Sequence, residues 1–336
     1  VLENKPGRAS AVGSWPGSDV VEAARIAFGE LSDPGVPYLP ELPARGPGGD
    51  LLGRGAVLMV DTPVDLQPSG WRLVNRPGRD LERAQAMLRQ DLDVLAEIAD
   101  GYRGPVKIQV AGPWTLAAGL YLPRLERAVV DPGACRHLVG ALTEGLALHV
   151  GEVRRLVPGA EVVVQVDEPG IGAVLSGELP TASGFGRLRA VEEQVVVEGL
   201  STVLTAATGA GAVETLVHCC GDAPAVETLW RSGADGLSLD VDRLGVPGWE
   251  ALAPALENGR RLWAGAVSTS APGRSAASVA DRVWTPWRRL GLDVRLVEAV
   301  VVTPSCGLAG LSPADARLAV ARSVAAAKEL AVRAEG

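Results

Sequence analysis

The chain has 336 residues, 47% of them hydrophobic, with 32 Lys and Arg against 40 Asp and Glu and a formal net charge of -8. That length and apolar content exclude a disordered chain and allow one large α/β domain or two smaller ones. The negative field disfavours nucleic acid and anionic membranes as partners and leaves a small molecule as the expected one.

The first residues, Val1 to Arg8, lack the apolar core of a signal peptide, and no stretch approaches 18 uninterrupted apolar residues. Both features predict a soluble cytoplasmic protein, with residues 1–10 as a flexible N-terminal tail. Eight short runs rich in Val, Ile and Leu then read as strands: 11–14, 36–41, 106–111, 162–167, 215–220, 236–240, 262–267 and 300–303. Helices alternate with them. Ser18 precedes one over 19–29, Asp80 opens a run to 99, Pro132 opens another to 155, and Ser312-Pro313 begins the last, to 334. Between the second strand and the Asp80 helix, residues 51–79 read as two extended runs around a Pro-rich turn, a hairpin insertion. Eight β/α units in one chain of this length predict a single (β/α)8 TIM barrel over 1–336, with the hairpin after the second strand. An open doubly wound sheet is the structural alternative.

Polar residues gather at the predicted C-terminal strand ends, where such barrels build their sites: Ser14, Glu41, Asp167 and Glu168, His218 and Cys220, Asp240, and Cys306. Four cysteines are too few for a disulfide scaffold, and their clustering favours metal binding or catalysis; Cys135 alone stands apart. His218 and Cys220 are two apart on a strand and point to the same side, whereas Cys219 points to the other and into the core. Asp240 from the next strand and Cys306 from the last would complete a tetrahedral zinc site. Zinc with two thiolates is electron-rich, which suits activation of a substrate thiol for attack on an electrophilic carbon.

Asp167, at the end of a buried strand, is the expected catalytic and ammonium-anchoring residue, with Glu168 beside it. Gly13-Ser14-Trp15 and Gly112-Pro113-Trp114 follow the first and third strands. Ser14 suits a substrate carboxylate, and Trp114 either a substrate platform or rim packing.

These residues resemble the C-terminal catalytic barrel of cobalamin-independent methionine synthase and the related single-barrel core enzymes. The resemblance runs from Gly13-Ser14 through Asp167-Glu168-Pro169 and His218-Cys219-Cys220 to Pro304-Ser305-Cys306-Gly307-Leu308. It implies zinc-dependent transfer of a methyl group from a folate to homocysteine, giving methionine. It makes His218, Cys220 and Cys306 zinc ligands and sets Asp240 where the family has glutamate. It also makes Asp167 the amino-group anchor, Ser14 part of the carboxylate site and Glu41 a substrate contact.

Three departures accompany it. Asp240 is one methylene shorter than the family's glutamate. The loop after the seventh strand, Gly-Ala-Val-Ser-Thr-Ser at 265–270, lacks the family's histidine, and histidine occurs only at 137, 149 and 218. The long enzymes add an N-terminal barrel that helps hold the folate, so with a single barrel the donor is either a methylfolate, met by Arg72, Arg76 and Arg79, or a methyl-corrinoid, free or on a corrinoid protein. Two alternatives remain open. One is a metal-independent lyase like uroporphyrinogen decarboxylase, which resembles the chain at fold level and would use Asp19 or Asp50. The other is a catalytically silent homologue that binds zinc and an amino acid.

Overall fold

Six of the eight apolar runs become strands of one parallel sheet. In the computed structural model, which describes residues 2–124, 126–221 and 225–335, a hairpin of β1 (Val64–Gln67) and β2 (Gly70–Leu73) precedes them in the chain. The sheet runs in sequence order through β3 (Gly104–Ala111), β4 (Ala160–Asp167), β5 (Glu214–Cys219), β6 (Gly236–Asp240), β7 (Arg261–Val267) and β8 (Val301–Pro304). The helices are α1 (Val20–Glu30), α2 (Leu51–Leu58), α3 (Arg79–Ile98), α4 (Pro113–Gly119), α5 (Pro132–Leu156) and α6 (Ile171–Ser176), then α7 (Glu193–Gly209), α8 (Val226–Arg231), α9 (Val241–Glu257, kinked at Gly245), α10 (Ala276–Leu290) and α11 (Pro313–Glu335). No helix among the described residues is long and apolar enough to cross a membrane.

The sheet strands are buried on both faces, and the cluster that each side chain joins alternates with the period of the pleat. Val106, Ile108 and Val110 of β3, Val162, Val164 and Val166 of β4, Leu237 and Leu239 of β6, and Val302 of β8 join the large core beneath the helices. The opposite faces meet in a second, separate cluster of Val163, Leu216, Trp263 and Val301, joined by Val36 and Leu2. Toward the C-terminal strand ends those same faces turn polar.

The segments 11–14 and 36–41 do not form regular strands, yet they lie where the first two were predicted. Ser10 N and Val302 N bond Val302 O and Arg8 O at 3.1 and 3.0 Å, tying the first segment to β8. Val36 N donates to Ala9 O at 2.9 Å and Glu41 N to Gly13 O at 3.1 Å, tying the two segments together. Leu39 N donates to Lys107 O at 2.9 Å and Lys107 N to Pro37 O at 2.8 Å, tying the second segment to β3. The reason for the irregularity is local: Pro37 and Pro40 lack the N–H that a ladder needs, and Gly13 holds φ at +156°.

Two further expectations give way. Residues 2–10, expected as a flexible tail, are built into the N-terminal end of the sheet. Leu2 is buried, its N–H donates to Glu214 Oε2 at 3.2 Å, and its carbonyl accepts from Arg261 Nη2 at 2.8 Å. Glu214 and Arg261 form a buried ion pair at 3.1 Å, and Glu214 also accepts from Trp263 Nε1 at 3.0 Å. In the 51–79 insertion only the later part is a hairpin. Leu51–Leu58 is helical, capped by Asp50 on Gly53 N at 2.9 Å. Its Arg54 pairs with buried Asp91 of α3, which Arg45 also meets.

Trp263 is among the largest fully buried side chains. Trp263→Ala opens a cavity inside the second cluster and takes a donor from Glu214. We expect a loss of about 3–5 kcal/mol in unfolding free energy, read by chemical denaturation. A loss below about 1 kcal/mol contradicts a packed interior.

Candidate active site and metal centre

The polar strand ends converge. His218 is the next-to-last residue of β5, Cys220 follows that strand directly, and Cys306 lies just past β8; their ligand atoms all lie within 4.8 Å of one another. Cys219, between the first two, is buried in the outer core, as the pleat requires. His218 Nδ1 is 2.9 Å from Ser238 Oγ of β6, which fixes the ring, while Nε2 is buried and has no hydrogen-bond partner among the described residues. The Cys220 and Cys306 sulfurs stand 2.9 Å apart as free thiols. Cys306 is held well below the usual thiol range by the hydrogen bond with Cys220, with further help from His218 and the Gly307 backbone. Cys220 is pushed up because it keeps the shared proton. Two sulfurs in contact and an oriented imidazole nitrogen that has no hydrogen-bond partner among the described residues form a donor set that fits zinc.

Asp240 lies outside this cluster, although the charges of His218 and Cys306 reach it. It is the N-cap of α9: Oδ1 accepts from Asp242 N at 3.1 Å and Oδ2 faces Arg243 Nε at 3.3 Å.

Beneath this cluster lies a buried polar layer on the inward faces of β3 and β4. Asp167 is opposite His218 in register and accepts from Gln165 Nε2 at 2.7 Å. The Val12 carbonyl is shared by Gln165 Nε2 at 2.8 Å and Lys107 Nζ at 2.7 Å. Lys107 also donates to Gln109 Oε1 at 3.2 Å, and Gln109 Nε2 donates to Leu39 O at 2.7 Å. Burial, opposed by the charges of Asp167 and Glu41, pushes the Lys107 ammonium down to about 8. Burial pushes Glu41 up to about 7 and raises Asp167, with His218 and Lys107 pulling Asp167 back. Lys107, Gln109 and Gln165 were not singled out from the sequence; their mark there is a polar residue at every second position of otherwise apolar runs, as in Val-Lys-Ile-Gln-Val.

Ser14 pairs with Glu41 through a parallel bridge and with the loop after Cys306. Its hydroxyl accepts from Ala309 N at 3.4 Å, and its carbonyl accepts from Leu308 N at 3.0 Å. A side chain at Gly307 would put Cβ 2.1 Å from Ser14 Oγ, so glycine lets the two loops meet with that hydroxyl in place. Ser14, Glu41, Asp167 and the His218, Cys220 and Cys306 cluster are thus drawn together at the strand ends.

Glu168 and Trp114 are turned elsewhere. Glu168 is fully buried and accepts from Trp114 N at 2.9 Å, Thr115 N at 2.7 Å and Thr115 Oγ1 at 2.7 Å, which satisfies the first turn of α4. Burial pushes it up to about 7 against those three donors. Trp114 is buried too, donating to Val196 O at 3.0 Å and packing over Gly199. The loop after β7 holds Ser268 and Ser270, 2.9 Å apart through their hydroxyls. The other two histidines both lie on α5: His137 meets Thr62 at 2.9 Å, and burial pushes His149 down to about 4.

A family model described as the catalytic domain of cobalamin-independent synthase matches residues 8–329. Among solved structures, a methyltransferase from Methanosarcina mazei superposes with a TM-score of 0.59 at 18% identity, over 98% of this chain and 94% of that one. A B12-independent methionine synthase from Shewanella sp. W3-18-1, in complex with selenomethionine, gives a TM-score of 0.51 at 18% identity, over 73% of this chain and 67% of that one. At such identity both are likenesses of fold. No curated protein matches the chain.

Glu41 titrates near 7 in the folded protein against an ordinary value of 4.5. Its contribution to stability is therefore complete below about 4.5 and lost as pH rises through about 7. Asp167 and Glu168 shift in the same direction. We expect Glu41→Gln to remove about 3 kcal/mol of the stability loss between pH 4.5 and pH 8, measured by denaturation across that range. An unchanged pH dependence contradicts the buried placement of this carboxyl.

Proposed function

The chain belongs to the cobalamin-independent synthase catalytic-domain family and is a methyltransferase, and on that premise we propose that it uses zinc, held by His218, Cys220 and Cys306, to methylate an amino-acid thiol of the homocysteine type. The observation that carries this reading is the cluster of those three ligand atoms, with the buried Nε2 of His218 lacking a hydrogen-bond partner among the described residues. Bound there, zinc supplies a centre at which a thiol loses its proton and stays nucleophilic.

The rest of the chemistry belongs to the chain. Ser238 holds the imidazole so that Nε2 faces the two sulfurs. Asp167 and Glu41, backed by Lys107, take the substrate ammonium, which replaces a buried proton as the counter-charge. Ser14, with the Ala309 N–H beside it, takes the carboxylate. An amino acid fixed at that end directs a side-chain thiol toward Cys220 and Cys306. Sulfur then forms its bond to the methyl carbon as the donor leaves with the bonding pair, and the demethylated donor takes up a proton in place of the one the thiol lost. Glu168 and Trp114 contribute by placing the start of α4 at the site's edge.

We read the six strands and the two bridging segments as a (β/α)8 barrel with irregular first and second strands, an architecture that gathers the C-terminal strand ends at one mouth. A methylfolate is the proposed donor, with Arg72, Arg76 and Arg79 of the hairpin region as the cationic groups for its acidic tail. A metal-independent decarboxylase reading loses its carboxylates: Asp19 caps α1 and Asp50 caps α2 while accepting from Trp71 Nε1 at 3.2 Å.

The test is zinc content and methionine formation from homocysteine, with methylfolate and methylcobalamin as separate donors. We expect near-stoichiometric zinc that Cys220→Ser and Cys306→Ser lose, and methionine from methylfolate. Asp167→Asn should raise the KM for homocysteine about 10- to 100-fold through loss of a charged hydrogen bond. Folded protein that takes up no zinc, or zinc-loaded protein that binds homocysteine and transfers no methyl group from either donor, overturns the proposal.

A further inference from the structure

We infer that only three protein side chains hold the metal, His218, Cys220 and Cys306, and that Asp240 is retained at the start of α9 by its cap bond and Arg243, so that this chain supplies no fourth protein ligand. This rests on the zinc reading above and concerns what completes that site.

Asp240 sits at the right strand end for a ligand. It is the last residue of β6, two beyond Ser238, which touches His218. Its carboxylate is nonetheless directed along its own chain. As the N-cap of α9, with φ -68° and ψ 107°, it bends back to accept from Asp242 N at 3.1 Å. The second oxygen faces Arg243 Nε, one turn on, at 3.3 Å. Arg282 of α10 reinforces the arrangement by pairing with Asp242 and donating to Ala266 O. The first turn of α9 ends at a kink, Gly245 at φ +55°, so this turn depends on its cap more than a turn inside a long helix would.

Charge points the same way. Two thiolates neutralise a divalent ion. A carboxylate added to them would leave an excess negative charge close to the buried Asp167 and Glu41, whereas Arg243 Nε at 3.3 Å and the charge of Arg282 already face Asp240. Three protein ligands with one open position are the arrangement of catalytic rather than structural zinc sites.

Zinc affinity by chelator competition, together with melting of the metal-free protein, tests this on wild type, Asp240→Ala, Asp240→Asn and Cys306→Ser. We expect both Asp240 variants to keep zinc affinity within about tenfold of wild type, below the loss typical even of outer-shell partners. Asp240→Ala should lower the melting temperature of the metal-free protein through loss of the cap, and Asp240→Asn, itself a good cap, should largely restore it. Loss of zinc affinity in both Asp240 variants comparable to that of Cys306→Ser overturns the inference and leaves the zinc reading intact. Zinc retained at full affinity in Cys306→Ser sinks the zinc reading itself.

Discussion

A strand buried on both faces must deliver alternate side chains to two environments, and that constraint arranges this protein. Outward positions meet the helices and are Val, Ile, Leu or Ala almost without exception. Inward positions have a small enclosed volume to fill. At the N-terminal end they fill it with Trp263, Leu216, Val163 and Val301, closed off by Leu2 and the Glu214–Arg261 pair. Toward the C-terminal end the same positions become Lys107, Gln109, Gln165, Asp167, His218 and Ser238. The site is therefore the polar half of a core whose apolar half gives it a floor. His218 and Cys220 share a face for the same reason that Cys219 does not.

Burying that many polar groups is tolerable only because they are paired. The Val12 carbonyl serves both Lys107 and Gln165, and through them the ladder reaches Gln109 and Asp167. Gly13 follows immediately, packed so closely that a side chain there would collide with Gln109. The loop that carries Ser14 is thus seated on the ladder. It meets the loop that carries Cys306 through the contact of Ser14 with Gly307. Amino-acid recognition and metal binding in the proposed reaction are mechanically one unit, joined at backbone level.

Much of this was legible in the sequence. Six strands fall within two residues of their apolar runs at each end, because outward Val, Ile and Leu mark them directly. The first two are blurred by Pro37, Pro40 and Gly13, whose places are set by neighbours far along the chain. Helix α2 is hidden by Gly53 and Gly55, poor helix formers that are glycine because Trp71 and Ala111 approach them. The burial of Leu2 depends on Glu214 and Arg261, more than two hundred residues away, and nothing local announces it. Within the site, the His218 and Cys220 pair follows from pleat geometry alone. A carboxylate at a strand end, however, reads alike whether it binds a ligand, caps a helix or supports a loop, and Asp240 and Glu168 both act here as caps. Lys107 escaped notice because a lysine in an apolar run suggests an edge before it suggests an interior.

The central claim is that His218, Cys220 and Cys306 present a zinc ion to a substrate thiol. Zinc K-edge X-ray absorption of the purified protein, with and without homocysteine, tests it most directly. The account predicts two sulfur neighbours at about 2.3 Å in the protein alone and three after homocysteine is added. A sulfur count that homocysteine leaves unchanged would contradict it.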